Sequence, residues 1–421
     1  MSRLIQTLLS GGRPDLKADL GGQDIPALSR LAEYRYAGQP MLDHVRSLLG
    51  RLLDDPPPIV RAGSPVMRPW WEPVPAVYLA AALEHVGLPE VAGANQGLAP
   101  HARESASSAR ELLREEGCPF YVREHAVALI VSRRKPASMI GSGALGETYM
   151  QFACSLDLRS LYRLARQEAR VAGDTEGEAR LEAFRDQVEM LGVFGGPPAP
   201  PLGEDVVAGL GYTEQSERHR ALNALRYFRL VARMQEPDWF RERLRQERER
   251  PSSRLNILVG PAGCGKSSWA LERLDHTIMV SSDRMRRELT GDPSDQSQNY
   301  LVFQRCMDRV RAELGRGREV TFDATNYSEE LRSMPVQAGR WSGARIVSYF
   351  FDVSLAESLR RNRDRSRMVP EEVIRRHYRL LEPPALYEAD RHMFVDPAGA
   401  VHQYWPAPGG TGDSTDTGRE G

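Results

Sequence analysis

The stretch that most constrains this chain is residues 255–268, LNILVGPAGCGKSS. An apolar β-like run, 255–259, delivers the backbone into Gly260-Pro261-Ala262-Gly263-Cys264-Gly265-Lys266-Ser267, the pattern G-x-x-x-x-G-K-S. Glycines allow positive φ and close approach, so successive backbone N–H groups wrap a phosphate chain. Lys266 is spaced to reach β- and γ-phosphates, and the Ser267 hydroxyl to ligate Mg²⁺. Ser268 continues into a helix over about 267–274, whose positive end points at the anion. Strand, loop and helix in this order predict a site for ATP and Mg²⁺.

From residue 254 onward, short β-rich runs (255–259, 277–281, 319–322, 346–351) alternate with helical ones (267–274, 300–314, 355–365, 370–381). That alternation predicts βαβ crossovers and a parallel sheet, with the ligand at the carboxyl ends of the strands. Residues 1–195 read differently. Apolar residues recur at helical spacing over 28–36, 41–53, 74–85, 103–116, 122–132, 156–171 and 176–191, and no strand alternation stands out. Pro56-Pro57-Pro58 and Gly117-Cys118-Pro119 interrupt the pattern as turns. The fold class is therefore multidomain, an all-α N-terminal domain followed by an α/β P-loop domain. The predicted boundaries are 1–195 (helical), 196–250 (the GGPPAPP linker and a charged spacer helix ending RERLRQERER), 251–407 (P-loop domain) and 408–421 (a disordered Gly/Ser/Thr/Asp tail).

Composition narrows the class. Of 421 residues, 41% are hydrophobic and 27% charged, as in a soluble globular protein. No apolar run reaches membrane-spanning length and no secretory leader is evident, so no membrane partner is expected. The four cysteines show neither metal-ligand nor disulfide-framework spacing, which suits a reduced, cytoplasmic setting. A net charge of −1 gives no global attraction to polyanions, so any nucleic-acid binding must come from local patches.

Three further clusters surround the phosphate loop in sequence. Ser281-Ser282-Asp283-Arg284-Met285-Arg286 follows the second strand. There, the Asp283 carboxylate is suited to take the proton of an attacking hydroxyl, and Arg286 to grip a phosphate. The third strand ends at Asp323, near where a P-loop protein keeps a carboxylate for its metal; a structural or indirect role is expected. On a helix, Arg361 and Arg365 fall at i, i+4 and share a face over the triphosphate. GPAGCGKSS, SSDRMR, TFDATN and RRNRDRSRMVP, with the trailing LEPPALYEAD, together resemble the 5′-hydroxyl polynucleotide kinase family over about residues 254–395. The resemblance implies ATP-dependent phosphorylation of RNA or DNA 5′-OH ends in nucleic-acid repair. It makes Asp283 the general base and Arg286 the contact to the adjacent phosphate. Lys266, Arg361 and Arg365 become the cations around the transferred group. A P-loop kinase of a small molecule or sugar nucleotide shares the loop and the Asp. A nucleotide-switched interaction protein is the reading from another class.

The N-terminal part resembles an HD-type helical domain. The residues that carry this are LDHVRSLL around His44, AAALEHVGLPE around His85, HARESASSARELL from His101, and CPFYVREHAVALIVSRRKP. Such domains hold divalent ions with an adjacent His-Asp pair and further His and Asp ligands. Here the pair reads Glu84-His85, the later histidine position falls at Arg133 or Arg134, and the closing carboxylate position at Gln167 or Glu168. His44, Glu84, His85, His101 and Glu168 are the candidates for an altered metal site. An arginine among them opposes an ion, so a degenerate scaffold is expected. Trp70 and Trp71 beside Arg68 are candidates for base stacking, with core packing favoured.

Overall fold

The computed structural model describes residues 2–20, 25–36, 39–55, 73–91, 98–292, 295, 297–365 and 367–405. The expected tail at 408–421, the Pro56–Pro58 turn and the Arg68, Trp70 and Trp71 group lie outside the described residues.

Two apolar cores organise the chain. The first lies among helices Met41–Asp54, Pro73–Leu83, Leu98–Glu115, Phe120–Ser132, Leu158–Ala172 and Thr175–Met190. Helix Leu158–Ala172 shows why they form. Leu158, Leu161, Leu164, Ala165 and Ala169 recur at helical spacing and are all buried. Asp157 caps the first turn by accepting from the Ser160 amide at 2.9 Å, and Gly173 at φ 71° ends the helix. The helix expected over 28–36 is instead three short pieces: Pro26–Ser29, a tight turn Arg30–Glu33, and strand Arg35–Tyr36 paired antiparallel with Gln39–Pro40. Leu28 and Leu31 are both buried, but their spacing of three serves a 3₁₀ turn as well as an α-helix.

The second core wraps a six-stranded sheet built from β1 (Arg254–Val259), β2 (Ile278–Ser281), β3 (Glu319–Asp323), β4 (Arg345–Phe351), β5 (Arg391–Val395) and β6 (Val401–Trp405). Strand order is β2-β3-β1-β4-β5-β6. The first five are parallel and β6 runs antiparallel to β5, so the sheet is mixed rather than purely parallel. Leu255, Ile257, Leu258 and Val259 are each no more than 1% exposed, as the centre of a sheet covered on both faces requires. Ser281 of β2 lies in register with Asp323 of β3, and β3 pairs with β1. The loops after β1, β2 and β3 therefore open at one edge of the sheet, where ligands of such folds sit.

Residues 196–250 pack onto this sheet instead of bridging through solvent. Leu222, Leu225 and Phe228 of helix Gln215–Leu230 belong to the second core, and Arg226 donates to the Pro198 carbonyl at 3.0 Å. In the charged helix Pro237–Glu249, Phe240 and Leu244 face inward. Arg243 donates to the Arg340 carbonyl at 2.7 Å and covers the Phe228 ring. Only the outward face of that helix is a solvated charge stripe.

The helical region also grips the sheet region through buried charges. Arg114 and Arg123 both reach Asp352, at the carboxyl end of β4, at 2.7 Å. Arg110 pairs with buried Glu124 and donates to the carbonyls of Tyr378 and Leu381. Glu111 accepts from the Leu355 amide, one of the open N–H groups at the start of helix Leu355–Arg363. Phe120 stacks on Phe394 with ring centres 4.4 Å apart.

Candidate functional site

At the end of β1 the chain turns through the Gly-rich loop into helix Lys266–Arg273. Gly263 and Gly265 sit at φ 83° and 97°, a region that only glycine enters without strain. A Cβ on Gly263 would lie 2.6 Å from the Ser358 carbonyl, so the loop can lie against helix Leu355–Arg363 only because that atom is missing. No side chain caps the Lys266–Arg273 helix, which leaves its first N–H groups to an anion. The Lys266 ammonium is buried and donates to the carbonyls of Gly260 (2.9 Å) and Pro261 (2.7 Å).

Ser267 donates its hydroxyl proton to Asp323 at 2.7 Å. Burial raises the Asp323 pKa above the usual carboxylate range, although Lys266 and the Ser267 hydrogen bond pull against it. Asp323 lies in register with Ser281, two residues before Asp283. The indirect role expected for Asp323 matches its contact with Ser267.

Asp283 lies in the first turn of helix Ser282–Thr290, which Ser281 caps. Its side chain is 58% exposed and accepts from Arg286 at 3.0 Å. Arg286 is turned inward: it is buried, and its other terminal nitrogen donates to Asn299 at 2.8 Å. The arginine expected to hold a substrate phosphate here holds Asp283. Asn299, at the start of the next helix, was not legible as part of the group.

Arg361 and Arg365 do not share a helix face. Helix Leu355–Arg363 ends before Arg365, and Asn362 closes the following loop through paired hydrogen bonds with the Val369 backbone. Arg361 is clamped to the phosphate loop. It donates to the Cys264 carbonyl at 2.9 Å and is braced by Glu357 at 2.7 Å. Arg365 is exposed beyond the helix end. Pro261 and Cys264 are buried, while Ser267 and Ser268 are exposed.

His377 is a further neighbour that spacing alone did not reveal. Its Nδ1 accepts from the Ala262 amide at 3.4 Å, and its ring stacks on Tyr327 with centres 4.5 Å apart. Burial, with Lys266 and Arg376 nearby, pushes its pKa down to about 4, so the imidazole beside the phosphate loop is neutral near pH 7.

In the helical region, His44, Glu84, His85, His101, Arg133 and Glu168 are all buried together. Arg133 is buried and Arg134 exposed, and Arg133 reaches two carboxylates, Glu84 at 3.5 Å and Glu168 at 3.6 Å.

Residues 255–384 match the AAA domain family, a span of less than half of the chain. Among solved structures, a gluconokinase from Sinorhizobium meliloti 1021 is similar at 19% identity. The match covers 35% of this chain and 83% of that one, with a TM-score of 0.27. No curated protein matches the chain. The region that matches the AAA domain family holds the phosphate-loop motif and most of the mixed, mostly parallel sheet, and among the described residues no helix is long and apolar enough to cross a membrane.

Proposed function

We propose that this protein is an ATP- and Mg²⁺-dependent kinase of the 5′-OH ends of RNA or DNA, acting in nucleic-acid repair, with the HD-like helical region as its scaffold. The observation that carries this reading is Asp283. A carboxylate that is 58% exposed and held by a buried arginine follows directly on β2, whose last residue, Ser281, lies in register with Asp323, the partner of Ser267 in the phosphate loop. A general base at an open rim suits an acceptor that arrives as the end of a long chain. Exposed Arg363, Arg365 and Arg367 supply local positive charge for its phosphates.

The chemistry follows from the placement. Asp283 takes the proton of the 5′-hydroxyl, the oxygen attacks the γ-phosphorus in line, and ADP departs. Backbone N–H groups of residues 263–268, Lys266 and Arg361 bind and orient the phosphate chain. Ser267, backed by Asp323, is the oxygen donor suited to Mg²⁺, which neutralises charge on the phosphate oxygens when bound.

The test incubates labelled ATP with 5′-OH and 5′-phosphate oligonucleotides of both sugars, alongside a nucleoside and a sugar acid. Label on a 5′-OH oligonucleotide and none on its 5′-phosphate counterpart is the expected result. Label only on the small acceptors moves the reading to a small-molecule kinase. Firm ATP binding with no transfer at all points to a nucleotide-switched interaction protein.

A further inference from the structure

The phosphate-transfer site makes no use of the sealed cluster in the helical region. Among the described residues, His44, Glu84 and His85 offer ligand atoms that lie within 4.8 Å of one another. His85 Nε2 is 3.1 Å and His44 Nε2 3.6 Å from the same Glu84 oxygen. The His101 ring stacks on His85 with centres 5.2 Å apart. Two imidazoles and a carboxylate are the donor set of a zinc-class ion, not of Mg²⁺.

A permanent cation already occupies this neighbourhood. Arg133 is 2% exposed and its Nε lies 3.5 Å from the second Glu84 oxygen and 3.6 Å from Glu168. Its Nη1 donates to the Ile130 carbonyl at 2.8 Å, which fixes the guanidinium in place. Arginine does not lose its proton in proteins, so its charge cannot give way to an incoming ion as a lysine or histidine charge can. The donors suit an ion and the neighbouring guanidinium repels one.

We propose that Arg133 is the resident cation of this cluster: the native chain takes up no divalent ion there, and removal of the guanidinium converts His44, Glu84 and His85 into a site for a zinc-class ion. The helical region is then held closed by a side chain where a metalloprotein uses a metal. This inference is independent of the kinase reading.

Co²⁺ is the probe, because its visible absorption reports nitrogen and oxygen coordination directly. Full-length wild type, Arg133→His and Arg133→Ala are titrated without nucleotide and with Mg²⁺ in excess, which keeps oxygen-only sites filled. The wild type is expected to show no stoichiometric uptake. Each variant is expected to take one equivalent with a ligand-field band and a rise in Tm, both lost on adding His85→Ala. A variant that unfolds without metal is refolded with Co²⁺, and recovery supports the proposal. Stoichiometric, His85-dependent uptake by the wild type overturns it. So does a folded variant that takes up no ion, or one that stays unfolded with Co²⁺ present.

Discussion

The phosphate-loop cleft and the helical His/Glu/Arg cluster gather similar chemistry and leave it in opposite states. In the cleft, Ser267 and Asp283 are exposed and the first N–H groups of a helix are uncapped. In the cluster, Glu84, His44 and His85 are fully buried, and Arg133 supplies a cation from within. The difference comes from the secondary structure. Parallel strands end together and leave backbone N–H groups and loop side chains facing solvent. Helices packed side by side present only side chains to one another, so a buried charge among them has to be answered by another side chain. Titratable residues gathered in one place are therefore no measure of a reactive site; whether a ligand can reach them decides.

The largest contrast separates Lys266 from His85. Lys266→Ala is expected to lower turnover about 10³-fold, because in the proposed mechanism its ammonium binds the phosphate chain and offsets the charge that builds up during transfer. His85→Ala is expected to leave turnover unchanged and to lower Tm. Loss of turnover in folded His85→Ala protein would break the division between reactive cleft and inert cluster.

A second test probes the joint between the two regions. Asp352→Ala removes one carboxylate partner from buried Arg123, which keeps Glu124, and from largely buried Arg114, which keeps Glu111, and is expected to cost about 1–3 kcal/mol of stability in denaturant unfolding. Burial opposes the Asp352 charge, but Arg123 and Arg114 outweigh it and hold the pKa below the usual carboxylate range. A negligible loss would mean that the helical region merely rests on the sheet region.

A further contrast concerns acid. His392, fully buried beside Ser348 at 2.9 Å, is pushed down to about 3 by burial. The unfolded chain binds this proton below about pH 6.5 and the folded one does not. Stability therefore falls as pH drops from there toward 3, by about 1.4 kcal/mol per unit. In His392→Gln that part of the slope is expected to vanish, as read by denaturant unfolding at several pH values.

The legible features were local in sequence. The phosphate loop, the Ser281–Arg286 segment and the alternation that gives the parallel sheet each lie within a short window of chain. What escaped was set by packing between distant segments. Asn299 reaches Arg286 across thirteen residues, and His377 meets Ala262 across 115. Asp352 meets Arg114 across 238. Helix Glu329–Ser342 carries Pro335 in its interior, a residue that argues against helix from sequence. β5 and the edge strand β6 are short, RHMFV and VHQYW, and their polar and apolar residues alternate poorly. Arg365 was placed on a helix face because its spacing from Arg361 fits one, yet the helix stops two residues earlier.

Asp283 offers the most direct measurement, made as single-turnover transfer to a 5′-OH oligonucleotide beside an ATP-binding titration. For Asp283→Ala, transfer is expected to fall about 10²-fold or more while ATP affinity stays at the wild-type value. Unchanged transfer by the variant would remove Asp283 from the chemistry and with it the reading of the cleft as a polynucleotide kinase site.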